Sequence, residues 1–309
     1  MSHETGRVWS PVITPFTADR SPDTPRLVAH CRWLLDQSVG LAVFGTNSEA
    51  NSLAVGEKLQ LLDALLEAGI PAARLLPGTG SCALPDTVAL SRHAAARGVE
   101  GVLMLPPFYY KNVSDEGLYR YFSEVIEGVG DERLRVYLYH IPPVSQVPLS
   151  LALIARLRDA YPRQVVGIKD SSGEWTNTQA LIERFAGDGF QVYAGSETFL
   201  LRTLRAGGAG CISATANVHP GPIAALAQHW QAEDADARQA ALVQIRQIFE
   251  GFPLVPALKA ATARFSEYAG WAQLRPPLVE LDASQRAELF ARLDTAGFDM
   301  PGLQAGGRG

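Results

Sequence analysis

The chain has 309 residues, enough to bury a large core as one big α/β barrel or as two domains. Its composition, 47% hydrophobic and 19% charged, is that of an ordinary globular protein, and a net charge of -5 with scattered arginines argues against nucleic acid or an anionic membrane as partner. No apolar run approaches the ~20 residues of a membrane span. The first residues lack a signal peptide's apolar segment, and three isolated cysteines (Cys31, Cys82, Cys211) fit reduced thiols in a cytoplasmic protein.

Short β-branched or apolar runs alternate with segments of helical period, and the alternation persists eight times. Strands are expected at 8–14, 41–45, 74–79, 101–106, 135–141, 165–169, 191–195 and 210–214. Helices are expected near 24–37, 55–68, 84–97, 115–128, 150–160, 176–187, 197–206 and 219–230. Such alternation implies parallel strands joined by crossovers, and eight units fit a (β/α)8 TIM barrel better than an open doubly wound sheet. A dinucleotide-binding sheet would need a Gly-rich turn after its first strand, where Thr14-Pro15-Phe16 stands instead.

Past residue 232 the strand signal stops, and 234–250, 255–268 and 283–296 read as helices punctuated by prolines. The expected organisation is a barrel over 1–232, a C-terminal helical region over 233–300 and a disordered tail over 301–309.

In a (β/α)8 barrel, chemistry gathers at the C-terminal ends of the strands. Lys169 ends the run Val165-Val166-Gly167-Ile168, and it is one of only four lysines among 27 basic residues. Strand periodicity puts Val165, Gly167 and Lys169 on one face, with Gly167 leaving room for the amine. Desolvation disfavours an ammonium, so a lysine projecting from an apolar strand can offer a free amine to a carbonyl. The same rim gathers Thr46-Asn47-Ser48-Glu49, Tyr109-Tyr110, Tyr139 and Ser196-Glu197. A phenol linked to a hydroxyl can shuttle the protons that imine chemistry requires. Backbone N–H groups of a Thr-Asn-Ser turn suit a carboxylate. Each residue alone has a plainer explanation, as packing, cap or first-turn acid. His140 falls on the opposite strand face and reads as structural. The histidines show no metal-ligand spacing, and no phosphate loop or serine nucleophile elbow is present.

Gly45-Thr46-Asn47-Ser48-Glu49, Pro107-Phe108-Tyr109-Tyr110, Tyr139-His140-Ile141-Pro142, Gly167-Ile168-Lys169-Asp170 and the stretch Gly210 to Asn217 occur here in order. Over about residues 8–298 the chain resembles the dihydrodipicolinate synthase/N-acetylneuraminate lyase family of pyruvate-dependent class I aldolases. The resemblance implies that Lys169 forms the Schiff base and Tyr139 donates and accepts protons. It further implies that Thr46 links Tyr139 to Tyr110, the latter donated across a homodimer or a homotetramer built from such dimers. Thr46, Asn47 and Ser48 would then form the carboxylate-binding turn, with Gly195 and Ile212 lining the pocket and no cofactor or metal required.

Dihydrodipicolinate synthases usually carry an Arg shortly after the strand-five tyrosine, but here the stretch reads Tyr139-His-Ile-Pro-Pro-Val-Ser-Gln-Val-Pro148. That absence removes a bidentate carboxylate contact. The expected substrates are therefore pyruvate and a neutral aldehyde, joined or parted as a 4-hydroxy-2-oxo acid or a keto-deoxy sugar acid. Ser171 would contact the substrate, and Glu197 would bind its hydroxyls and repel a second carboxylate. The alternatives are 4-hydroxy-tetrahydrodipicolinate synthesis from aspartate semialdehyde, dehydration through the same iminium, and a non-catalytic barrel that binds 2-oxo acids.

Overall fold

The computed structural model describes residues 6–303. Among them are seven parallel strands: β1 (Arg7–Ser10), β2 (Gly40–Leu41), β3 (Val102–Met104), β4 (Val136–His140), β5 (Val165–Asp170), β6 (Gln191–Ala194) and β7 (Gly210–Ile212). Their order is β2-β1-β7-β6-β5-β4-β3. The expected strand 74–79 is reduced to single parallel bridges, Leu41 to Leu75 on one side and Gly78 to Leu103 on the other. Pro77 lacks an N–H and interrupts the ladder there. Hydrogen bonds still run to both neighbours, from Gly78 N to Val43 O (2.7 Å) and from Leu103 N to Pro77 O (2.9 Å), so the ring closes. The fold is a (β/α)8 barrel with a C-terminal helical appendage.

Strand alternation divides the core into two layers. Trp9, Tyr137, Tyr139, Tyr193 and Ile212 fill the barrel interior. Val136, Leu138, Ile168 and Val192 face outward into the helices. A register shift between Val136 and Tyr137 alters the expected face of β5. Val165 packs in the outer layer and Val166 against the inner one, so Val165 does not share a face with Lys169. Nor does Gly167 make space for the amine. A Cβ there would sit 2.6 Å from the Tyr137 ring and 2.6 Å from the Gln191 carbonyl, so the missing side chain accommodates that ring.

The helices Ala235–Glu250, Leu254–Phe265 and Ala283–Thr295 form the appendage. It is tied to the barrel mouth by polar contacts that the hydrophobic pattern gave no hint of. Lys259 donates to Glu49 and to the Gln273 carbonyl (2.7 Å), and Arg275 forks onto Glu57 while donating from Nη1 to Ser52 O (2.7 Å). Of the tail expected over 301–309, residues 304–309 lie outside the described residues. The Pro301 carbonyl accepts a hydrogen bond from Trp33 Nε1 (3.0 Å).

Candidate active site

Lys169 and Tyr139 meet because they are register partners on adjacent strands: β4 Tyr139 lies beside β5 Lys169, whose other neighbour is β6 Tyr193. Both point into the barrel, and each is only 3% exposed. Lys169 Nζ donates to the Tyr139 phenol at 3.2 Å and lies 4.3 Å from its ring centroid. Tyr139 Oη is in turn 3.3 Å from Thr46 Oγ1. Amine, phenol and hydroxyl therefore form one hydrogen-bonded line. They sit at the strand ends beneath a cavity of about 600 Å³ lined also by Asn47, Ser171 and Gly195.

The Thr46 turn is held from below. Thr46–Ser48 is a single 3-10 turn after Gly45, flanked by two non-glycine residues in the left-handed region, Phe44 (φ 61°) and Glu49 (φ 58°). Such conformations cost free energy and persist only where surroundings enforce them. Ser48 supplies part of that enforcement: its hydroxyl accepts from Gly45 N (3.1 Å) and donates to the Val12 carbonyl. Thr14 Oγ1 donates to Ser48 O at 2.8 Å. Ser48 is thus fully buried under the turn, not facing the cavity, which corrects its expected place among the substrate-binding side chains.

The end of β5 is braced similarly. Asp170 Oδ2 accepts from Thr178 Oγ1 (2.6 Å) and Ser172 Oγ (3.1 Å), while Oδ1 accepts from Ser172 N (3.0 Å). His140, outward-facing as expected, accepts from Leu149 N at Nδ1 (3.0 Å) and stands 4.0 Å from Asp170 through Nε2. Burial lowers its pKa, with Asp170 opposing the shift. Gly195 is required by proximity: a Cβ there would lie 2.1 Å from Ser171 Oγ and 2.8 Å from the Asp170 carbonyl.

Three further expected site residues stand outside the cavity lining. Glu197 is 1% exposed and turned behind the cavity wall, where Ser213 and Thr215 both donate to its carboxylate. It does not line the cavity, which corrects its expected part in binding a substrate's hydroxyls. Ile212 lies fully buried in the interior layer with Tyr139 and does not line the cavity. Tyr110 is 74% exposed, as is Tyr109, and the rings meet edge to face at 5.3 Å. Their loop is anchored by Lys111, which donates to the Phe108 carbonyl and to Ser145 O (2.8 Å).

Sequence reasoning missed Arg246 and Glu250, which line the cavity from the helix Ala235–Glu250. The signal was available: Arg246 interrupts the buried stripe Leu242, Ile245, Phe249 at helical spacing, where an arginine needs a reason.

A parallel barrel with a buried lysine, phenol and hydroxyl in line at its strand ends defines a lyase of the class I aldolase type. A sequence model of the dihydrodipicolinate synthetase family matches residues 4–296, and the chain belongs to that family. It is 35% identical over 287 residues to an uncharacterized DapA-like lyase of Chloroflexus aurantiacus, covering 92% of this chain and 94% of that one. Among solved structures it is similar to a dihydrodipicolinate synthase of Agrobacterium tumefaciens (TM-score 0.87, 31% identity, 94% of this chain and 99% of the other). It is also similar to a prophage protein of the same family from E. coli K12, solved in complex with pyruvate (TM-score 0.86, 29% identity, 94% and 98%). Among the described residues no helix is long and apolar enough to cross a membrane.

Proposed function

We propose that the protein makes or breaks the carbon–carbon bond between pyruvate and an aldehyde through an iminium on Lys169. The observation that carries this reading is the line Lys169 Nζ, Tyr139 Oη, Thr46 Oγ1 at the cavity floor. The amine adds to C2 of pyruvate, and the resulting carbinolamine loses water as the Tyr139 phenol protonates its hydroxyl. The iminium withdraws electrons from C3, whose proton leaves to give an enamine. That carbon attacks the aldehyde, the new alkoxide takes a proton, and hydrolysis frees Lys169. Cleavage is the same sequence reversed. Thr46 relays protons to and from Tyr139. The N–H groups of Thr46 and Asn47, first in their turn and without intrahelical partners, suit the pyruvate carboxylate.

The same steps would serve dehydration, since the enamine can expel a β-hydroxyl. Synthesis of 4-hydroxy-tetrahydrodipicolinate is the second reading, supported by the family's named members and weakened by the lack of an arginine in the segment after Tyr139, where Pro142–Ser145 forms a short helix. We read the exposed Tyr109–Tyr110 pair as belonging to a face that meets a second copy, with Tyr110 completing the neighbour's relay, and the protein as a cytoplasmic homo-oligomer.

Borohydride reduction in the presence of pyruvate tests the iminium. The expected result is a reduced pyruvyl adduct on the peptide containing Lys169. An unmodified Lys169 in active protein would remove the mechanism.

A further inference from the structure

The cavity above Lys169 changes character with depth. Thr46, Asn47, Tyr139 and Lys169 make a polar floor, where the Lys169–Tyr139 pair is only 3% exposed. Toward the mouth the wall is apolar: Val144, Phe199, Leu254 and Leu278 all line it. Val144 is 62% exposed and Leu278 37% exposed. Single exposed apolar residues are ordinary on a protein surface. Apolar side chains gathered at the rim of one cavity instead mark a surface that a ligand covers.

These four side chains come from separate segments, and each is held. Val144 lies in the short helix Pro142–Ser145, where the Ser145 hydroxyl donates to the Ile141 carbonyl (3.0 Å) and Ser145 O accepts from Lys111 (2.8 Å). Leu278 N donates to Arg275 O (3.1 Å), closing a turn on the residue that forks onto Glu57. Phe199 packs edge to face on Trp175 at 5.9 Å, and Leu254 opens the helix Leu254–Phe265. The polar groups of the same wall are engaged with one another. Ser196 and Thr198 pair through their hydroxyls at 2.9 Å, and Glu250 accepts from Arg246 Nε at 2.7 Å. The Asp170 carboxylate is wholly buried, bonded to Ser172 and Thr178. The outer wall thus offers hydrocarbon surface where a polyol would need free donors and acceptors, and its charges are already paired.

We propose that the second reactant is an aldehyde with an alkyl or aryl substituent, whose apolar end packs against Val144 and Leu278 while its carbonyl carbon meets the enamine at Lys169. This rests on the aldolase reading above and narrows its aldehyde to one without hydroxyls or a second carboxylate. The bond formed or broken is then that of a 4-hydroxy-2-oxo acid whose far end is a hydrocarbon group. Val144 and Leu278 determine specificity, since they touch the part of the substrate that does not react. Release of water from the mouth drives the hydrocarbon in, so the gain grows with its length.

The test runs acetaldehyde, propanal, butanal and pentanal with pyruvate on the full-length protein, beside glyceraldehyde and succinic semialdehyde, with rates referred to the unhydrated aldehyde. Wild-type kcat/KM should rise about 3- to 4-fold per methylene, the scale of apolar burial. Propanal should exceed glyceraldehyde by about 10-fold, as hydroxyls placed on an apolar wall go unpaired. Butanal should exceed succinic semialdehyde. In Val144→Thr and Leu278→Asn, changes of similar volume at exposed positions, the rise should flatten to about 2-fold per methylene or less, through KM for the aldehyde. Borohydride trapping of pyruvate on Lys169 reports that each variant is folded at the site, and two separate positions keep the test readable should one fail. A flat wild-type series, or a preference for glyceraldehyde or succinic semialdehyde, would overturn the proposal. So would a slope that survives both substitutions. Failure of wild type to trap pyruvate would instead sink the aldolase reading, and this proposal with it.

Discussion

Lys259 and Glu49 form an ion pair with both side chains wholly buried, joining a helix of the C-terminal appendage to the left-handed residue that ends the Thr46 turn. The second Glu49 oxygen accepts from the backbone N–H of Arg275 at 3.0 Å. Burial lowers the Lys259 ammonium to about 8, with Glu49 acting in the opposite direction. The appendage is therefore part of what shapes the Thr46 turn.

Removing one partner of a buried pair leaves the other charge stranded, at about 3–5 kcal/mol. Lys259→Met should cost that much in urea unfolding and raise KM for pyruvate. The double variant Glu49→Gln/Lys259→Met should recover much of the stability. A single variant with wild-type stability would show that the pair contributes nothing.

Tyr139→Phe keeps the ring that packs in the barrel interior and deletes only the hydroxyl between Lys169 and Thr46. Turnover should fall about 100-fold or more, the usual scale of acid–base catalysis. Near-normal steady-state rates on the preferred aldehyde would take Tyr139 out of the relay.

Gly195→Ala places a methyl group within 2.1 Å of Ser171 Oγ and 2.8 Å of a backbone carbonyl. The serine can turn away, but the backbone cannot. We expect a loss of about 1–3 kcal/mol in stability, typical of overpacking. Activity should fall further than stability alone explains, as read from kcat/KM at a temperature where the variant is fully folded.

Tyr110→Phe should slow turnover, and the wild-type protein should sediment as a dimer or tetramer. Tyr110 has no hydrogen-bond partner within its own chain among the described residues, and its ring is 74% exposed, which supports the proposed place in a neighbour's relay. A monomer with full activity would contradict that assignment.

His30 is buried between Trp33 and Trp271, at ring-centroid distances of 5.5 and 5.0 Å, with neither nitrogen hydrogen-bonded. Burial lowers its pKa from 6.5 to about 4. The unfolded chain therefore binds a proton more readily than the folded one across that interval. Its contribution is fully present above pH 6.5 and is lost progressively as pH falls toward 4, by up to about 3 kcal/mol. Denaturant midpoints at pH 7 and 5 should differ accordingly, and His30→Leu should reduce the difference. An unchanged pH slope in that variant would point to other groups.

Much of the fold was legible because β-branched runs and helical stripes carry their periods in the sequence, and Pro77 blurred only one strand. Lys169 and Tyr139 were legible because each ends such a run, and parallel pairing brings run ends together. What could not be read was direction and distance. Glu197 begins a turn on the rim, but its side chain is captured by hydroxyls 16 and 18 residues away. The face of Val165 depended on a one-residue shift against β4, which alternation alone does not encode. Arg246 reaches the cavity from a helix outside the repeating pattern, so only its interruption of that helix's apolar stripe, not its place on the rim, marks it.

Asn217 seals the barrel. Its amide oxygen accepts from Ile13 N (2.9 Å), and its amide nitrogen donates to the carbonyls of Pro11 (3.0 Å) and Ala214 (2.9 Å). Ile13 and Asn217 are 204 positions apart. At roughly 5–20 residues per second of synthesis, the first strand must wait about 10–40 seconds on the ribosome before its partner exists. The barrel's last seam thus joins the two ends of the strand sequence, and it can form only after nearly the whole barrel has been synthesised.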